Sequence, residues 1–215
     1  MNLVVKRLTN EIKKISAGIE KKQFGENSKI VSGNNFDIYY IDDDFGLIKI
    51  KISKNDLRTW IVRITKRVRD PEPKVYYLAS PYAGLEVELK IHFPEGYPTG
   101  PPGVTFRHSM IHPNIYSGGG ICLDILREGN WNPSVTIISL IQNIMLFLDE
   151  PNSSDAANSD SNKKYQSGAQ KYFDEVRKYY RETITRELEN LKFEIEIEKK
   201  EPVKNKSPDR MEEVD

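Results

Sequence analysis

His112-Pro113-Asn114-Ile115-Tyr116-Ser117-Gly118-Gly119-Gly120-Ile121-Cys122-Leu123 is the stretch on which the reading of this chain turns. It sets the only cysteine just beyond three consecutive glycines and eight residues after an asparagine. A lone cysteine is by default a small, inert, buried hydrophobe. Here glycines allow backbone to approach the sulfur closely, and Asn114 offers an amide donor. The loop therefore reads as a site, with Cys122 as its candidate nucleophile.

Upstream of the loop the pattern is one of strands. Val87, Leu89, Ile91 and Phe93 alternate with Glu86, Glu88, Lys90 and His92, as a half-buried strand does, which turns His92 outward. Phe93 to Pro102 holds enough proline to form a stiff, irregular surface loop, and a short strand from Gly103 to Phe106 leads into the central stretch. Earlier still, Phe36, Ile38 and Tyr40 alternate, as do Ile48, Ile50 and Ile52, about a turn at Asp42 to Gly46. A third strand runs from Trp60 to Ile64.

Leu3, Leu8, Ile12 and Ile15 predict an amphipathic helix over residues 2–16, while residues 17–35 read as a loop. Residues 66–75 mix charge with two prolines and read as an exposed excursion. Its basic residues Lys66, Arg67 and Arg69 could meet an acidic partner, though solvation is the default for such a cluster. Downstream, Val135 to Leu148 is apolar nearly all round and predicts a buried central helix. Apolar residues then recur at helical steps from Tyr165 to Ile195. The tail from Glu198 to Asp215 carries too little apolar surface to fold and is expected to be mobile. The sum is an α+β domain: a domain over 1–195, with insertions near 17–35 and 66–75, followed by a charged tail over 196–215.

Composition narrows the function. Lys and Arg total 32, as do Asp and Glu, so no net field favours nucleic acid or a membrane surface, and neither is expected as a partner. The single cysteine excludes an intrachain disulfide, and the apolar run after Met1 is too short for a signal peptide. An intracellular protein, cytoplasmic or nuclear, is expected. No apolar run is long enough to span a bilayer. The histidines, His92, His108 and His112, show no ligand spacing with Cys122, so no metal is expected.

Several landmarks in one order resemble the ubiquitin-conjugating enzyme family: Tyr97-Pro98, Pro101-Pro102, His112-Pro113-Asn114, Cys122-Leu123, Trp131-Asn132-Pro133, and Pro151-Asn152 leading to Asp155. Pro81-Tyr82-Ala83-Gly84 is also similar to the family's central hairpin, and coverage extends from the first helix to about residue 190. The resemblance implies an N-terminal helix, a four-stranded antiparallel meander, a catalytic loop and C-terminal helices. It also implies that ubiquitin, or a ubiquitin-like modifier, passes from an activating enzyme to Cys122 as a thioester. A ligase would then help transfer it to a substrate lysine. ATP is consumed upstream, so no cofactor is implied.

On that reading, negative charge grows on the thioester oxygen as the lysine attacks, and a positioned amide lowers the barrier. Asn114 is the candidate, with loop bracing as its other role. Asp155 matches the position of the carboxylate that orients the lysine, although an aspartate there could simply cap the next helix. Asp124 is a second, weaker carboxylate. His112 reads as structural, its ring holding the turn that Pro113 fixes. Thr99, Asn132, Pro133 and Ser134 match loops shown to ligases.

The sequence departs from the family at Thr99-Gly100, where a bulky apolar residue is common, at Leu85 in place of a second glycine, and at Ala156, where proline often follows the aspartate. The step from Cys122 to Trp131 is also one residue longer than the commonest form. Competing expectations are a conjugating enzyme for another modifier such as SUMO, a non-catalytic ubiquitin-binding scaffold, and a cysteine hydrolase using Cys122 with His112. Ser207-Pro208 is a candidate phosphorylation site in the tail.

Overall fold

The computed structural model describes residues 2–67, 80–191 and Phe193. The expectations for Arg69, for most of the 66–75 excursion and for the tail, including Ser207-Pro208, lie outside the described residues.

Helix α1 spans Leu3–Glu20 and is capped by the Asn2 side chain, which accepts from the Val4 amide. It runs beyond residue 16, through residues the sequence assigns to a loop. Gly18 is there for packing: a Cβ on it would stand 2.6 Å from the Phe24 ring. The strands follow as β1 (Lys29–Ser32), β2 (Phe36–Asp43), β3 (Gly46–Ser53), β4 (Thr59–Lys66), β5 (Glu86–His92) and β6 (Gly103–Phe106). All pair antiparallel in chain order.

The sheet thus has six strands, a correction to the four-stranded expectation. One addition is β6. The other is β1, inside the stretch 17–35 read as a loop. It is a short edge strand with no fully buried residue, so it lacks the alternation that marks strands in a sequence.

One face of the sheet is apolar, with Ile48, Ile50, Ile52, Trp60, Val62, Ile64, Val87, Leu89 and Ile91 all buried. They share a core with Val4, Leu8 and Ile15 of α1 and with helix α2 (Ile137–Phe147). The buried face of α2 comprises Ile137, Leu140, Ile141, Ile144, Met145 and Phe147. Each such side chain contributes about 1.5–3 kcal/mol relative to exposure, so α2 is held by burial.

On the opposite face Lys90 and His92 of β5 are exposed, as a half-buried strand requires, and Glu88 is the exception. Glu88 is fully buried, gripped by Arg63 and Arg107, while Arg63 also pairs with Glu86 at 2.9 Å. The C-terminal helical segment packs on this face. After α3 (Ser159–Gln166) and α4 (Ala169–Tyr179) comes a π-helical turn at Tyr180–Ile184, then α5 (Thr185–Asn190). Tyr180 donates to the Glu86 carbonyl and accepts from its amide, and Arg63 donates to the Leu188 carbonyl. His92 points outward, as expected.

Candidate active site

The loop over residues 112–123 is tied to the fold at both ends and in its middle. Tyr82 and Tyr172 both donate to the Ile111 carbonyl, fixing the residue before His112. Burial raises the pKa of both phenols, so they stay protonated and keep donating. In the middle, Gly119 has φ +83° and accepts from the Phe106 amide at 2.8 Å, joining the loop to β6. A Cβ at Gly119 would lie 2.3 Å from the Phe106 carbonyl oxygen. The glycine run therefore serves this approach to β6, whereas a Cβ at Gly118 would meet open space. At the far end the Cys122 amide donates to the Asn114 carbonyl at 2.9 Å.

His112 is fully buried. Its Nδ1 accepts from the Asn114 amide at 3.1 Å, which assigns the proton to Nε2, 3.2 Å from the Phe147 carbonyl. Burial pushes its pKa down to about 3. The ring is a neutral brace between the loop and the end of α2, with neither nitrogen available to Cys122. Pro113 is buried too, and its carbonyl accepts from the Asn158 amide at 2.8 Å.

Asn114, 2% exposed, spends its side chain on a second segment. Nδ2 donates to the carbonyls of Asn152 at 2.9 Å and Asp155 at 3.0 Å, and Oδ1 accepts from the Asn152 amide at 2.7 Å. This is the bracing geometry. It carries Asp155 to the cysteine's side of the molecule, in a 3-10 turn (Ser153–Asp155) whose amides the Asn152 side chain caps. Asp155 caps no helix; Asn158 is the cap of α3, and it also donates to the Ile115 carbonyl.

Cys122 is partly exposed. It lines a shallow cleft with Asn114, Asp124, Arg127, Asn143, Asn152 and Asp155, walled on its apolar side by Leu123, Leu146 and Phe147. Arg127, which the sequence did not single out, also lines it. Its Nη2 reaches Cys122 Sγ at 3.5 Å and Asp155 Oδ2 at 3.0 Å, and its Nε lies 3.4 Å from Asp124 Oδ1. Donation to the sulfur, then to Asp155, holds the guanidinium's pKa above its ordinary value.

Thr99, Asn132, Pro133 and Ser134 are all exposed. Trp131 joins their two loops, donating from Nε1 to the Pro98 carbonyl at 2.7 Å. The second loop is latched to α1, because Arg7 donates to the carbonyls of Pro133 and Val135 and buried Glu11 accepts from the Ile137 amide. Among the described residues, no group of three or more His, Cys, Asp or Glu is placed to hold a metal, and no helix is long and apolar enough to cross a membrane.

A family model described as ubiquitin-conjugating enzyme matches residues 47–180, from β3 to the start of the π-helical turn. Among curated relatives, ubiquitin-conjugating enzyme E2 2 of Aspergillus fumigatus is 35% identical over 111 residues, 52% of this chain and 70% of the relative. The protein of the same name from Emericella nidulans is 37% identical over 98 residues, 46% of this chain and 64% of the relative. Ubiquitin-conjugating enzyme E2 1 of Caenorhabditis elegans is 36% identical over 124 residues, 55% of this chain and 64% of the relative. The aligned segments thus cover from 64% to 70% of these relatives' own lengths. With the α+β fold and the braced cysteine loop already in place, these matches establish that the chain belongs to the ubiquitin-conjugating enzyme family.

Proposed function

We propose that this chain accepts ubiquitin from an activating enzyme as a thioester on Cys122 and passes it to a substrate lysine with a ligase's help. The observation that carries the reading is the placement of the chain's only cysteine: partly exposed, on a backbone tied to β6 and α2, at the rim of a cleft that also holds Asp155 and Asp124. In charging, the Cys122 thiolate attacks the thioester carbonyl of the activating enzyme. A new C–S bond forms, the old one breaks, and the activating enzyme's thiolate leaves. In transfer, the lysine nitrogen attacks, a C–N bond forms, Cys122 leaves as thiolate and the amine's proton goes to solvent. Asp155 orients the incoming ammonium. Asn114 acts first as the brace that holds Asp155 in place, and as oxyanion donor only if a hydrogen bond to Asn152 or Asp155 is exchanged for one to the thioester oxygen. The exposed loops at Thr99 and at Asn132, Pro133 and Ser134 face the ligase, and no cofactor is required beyond the ATP used upstream.

The test mixes the protein with ubiquitin, a ubiquitin-activating enzyme and ATP and resolves the products with and without thiol. A thiol-sensitive adduct, lost in Cys122→Ala, is expected. No adduct, with the activating enzyme itself charged, would overturn the choice of ubiquitin and send the same assay to another modifier.

A further inference from the structure

We propose that Arg127 is a displaceable stand-in for the acceptor amine, occupying in the uncharged enzyme the ground between Cys122, Asp155 and Asp124 that a lysine ammonium must enter. The inference rests on the thioester reading of Cys122 and names what controls access to it. One cation meets all three groups: Nη2 lies 3.5 Å from the sulfur and 3.0 Å from Asp155 Oδ2, and Nε lies 3.4 Å from Asp124 Oδ1. Asp155 and Asp124 are 67% and 78% exposed and Arg127 51%, so water screens both pairs and they are cheaply exchanged. Glu150 lines the same cleft and adds to its negative charge. Without Arg127 the sulfur would sit among carboxylates that attract any amine.

The choice of residue fits the role. A guanidinium is charged at every working pH and has no lone pair to offer. It neutralises the carboxylates without ever becoming an acceptor of the acyl group. A lysine ammonium can release its proton to water and then carries a lone pair, so an amine that displaces Arg127 from Asp155 can attack where arginine cannot. Arg127 thereby sets a threshold: an amine must be delivered at high local concentration, or held by other contacts, to win the site.

Two experiments on the full chain decide the matter. In the first, Cys122 reacts with 2-aminoethyl methanethiosulfonate, a cation, and with neutral methyl methanethiosulfonate. In each, the thiolate attacks the sulfenyl sulfur, an S–S bond forms and methanesulfinate leaves. The ratio of the two rates cancels the sulfur's own nucleophilicity and reports the charge around it. Arg127→Ala is expected to raise that ratio about fivefold, Arg127→Lys to leave it near wild type, and Asp155→Asn in the Arg127→Ala background to bring it down again. An unchanged ratio in Arg127→Ala overturns the proposal. This measurement needs neither ubiquitin nor an activating enzyme, so it stands even if the thioester reading fails.

In the second, the Cys122 thioester is discharged to free lysine over a concentration series. Arg127→Ala is expected to lower the KM for lysine several-fold and leave kcat within about twofold. A fallen kcat with KM unchanged would make Arg127 part of the transfer machinery and overturn its role as a stand-in.

Discussion

The two sides of Cys122 are built by opposite means. On one side His112 and Asn114 are 0% and 2% exposed, and their ring nitrogens and amide group all have hydrogen-bond partners in the protein. On the other, Asp124, Arg127 and Asp155 are mostly exposed, with side chains that meet chiefly through charge. Buried polar groups must be paired, and losing a partner costs their full desolvation penalty. Exposed ion pairs cost almost nothing to break. The protein therefore fixes the two backbone segments that carry Cys122 and Asp155, and leaves the charged groups free to exchange partners during a reaction.

Removing the Asn114 amide has the largest expected effect. Asn114→Ala orphans the Asn152 and Asp155 carbonyls and the Asn152 amide, and is expected to cost about 2–3 kcal/mol of stability. The Cys122 thioester should still form, while transfer to lysine should fall by roughly 10² to 10³. Urea unfolding and single-turnover discharge measure the two effects. A normal discharge rate would remove Asn114 from the transfer step, and a large rate loss with unchanged stability would show that bracing is not its role.

His112 gives the next effect, through pH. Its folded pKa, about 3, lies below the ordinary 6.5, so as pH falls the unfolded chain takes up the proton first. The contribution to stability is complete above pH 6.5 and is lost progressively as pH falls toward 3. By linkage, about 3 kcal/mol of it should be gone at pH 4. Burial lowers the pKa of His108 as well, in the same direction. In His112→Gln, which can keep a donor and an acceptor, stability should fall less steeply between pH 7 and 4. Parallel curves for the two proteins, measured by urea unfolding, would show that His112 does not carry the acid sensitivity.

Gly119 ranks third. Its positive φ and the approach to Phe106 leave no room for a Cβ, so Gly119→Ala is expected to cost about 1–3 kcal/mol. Gly118→Ala, at a position facing open space, serves as the control. Equal thermal shifts in the two would mean that the junction with β6 bends to accept the methyl.

The same division explains what could be read from the sequence. His112-Pro113-Asn114, Cys122 and Trp131 were legible because local order and spacing carry them. The inner sheet face was legible because β3, β4 and β5 alternate cleanly. Glu88 was misjudged because its pairing with Arg63 and Arg107, and the helical segment that binds neighbouring Arg63 and Glu86 from about 100 residues further along, are not encoded in any period-two pattern. Asn152 and Asn158 lie in a polar stretch with no apolar period, and their hydrogen bonds to the cysteine loop exist only in the folded chain. Arg127 sits in the charged run after Leu126 and looks like solvated surface. Its place five residues after Cys122, just past a 3-10 turn over Asp124–Leu126, was the one available cue.

The smallest expected effect tests the loose side. Arg127→Ala and Asp124→Asn should each change unfolding free energy by no more than about 0.5 kcal/mol, since these pairs are solvent-screened and hold no backbone. That near-absence of effect is informative only beside a reaction readout. If Arg127 and Asp124 acted as structural clamps, stability and reactivity would fall together; on the exchangeable reading, the amine dependence of Cys122 chemistry changes while the unfolding midpoint stays put. Salt sharpens the distinction. Raising ionic strength screens exposed charges over about 10 Å at 0.1 M and over less at higher salt, so it should shrink the wild-type to Arg127→Ala difference in amine preference. The hydrogen bonds of His112 and Asn114 lie out of reach of that screening, and the stability cost of Asn114→Ala should be the same at low and high salt.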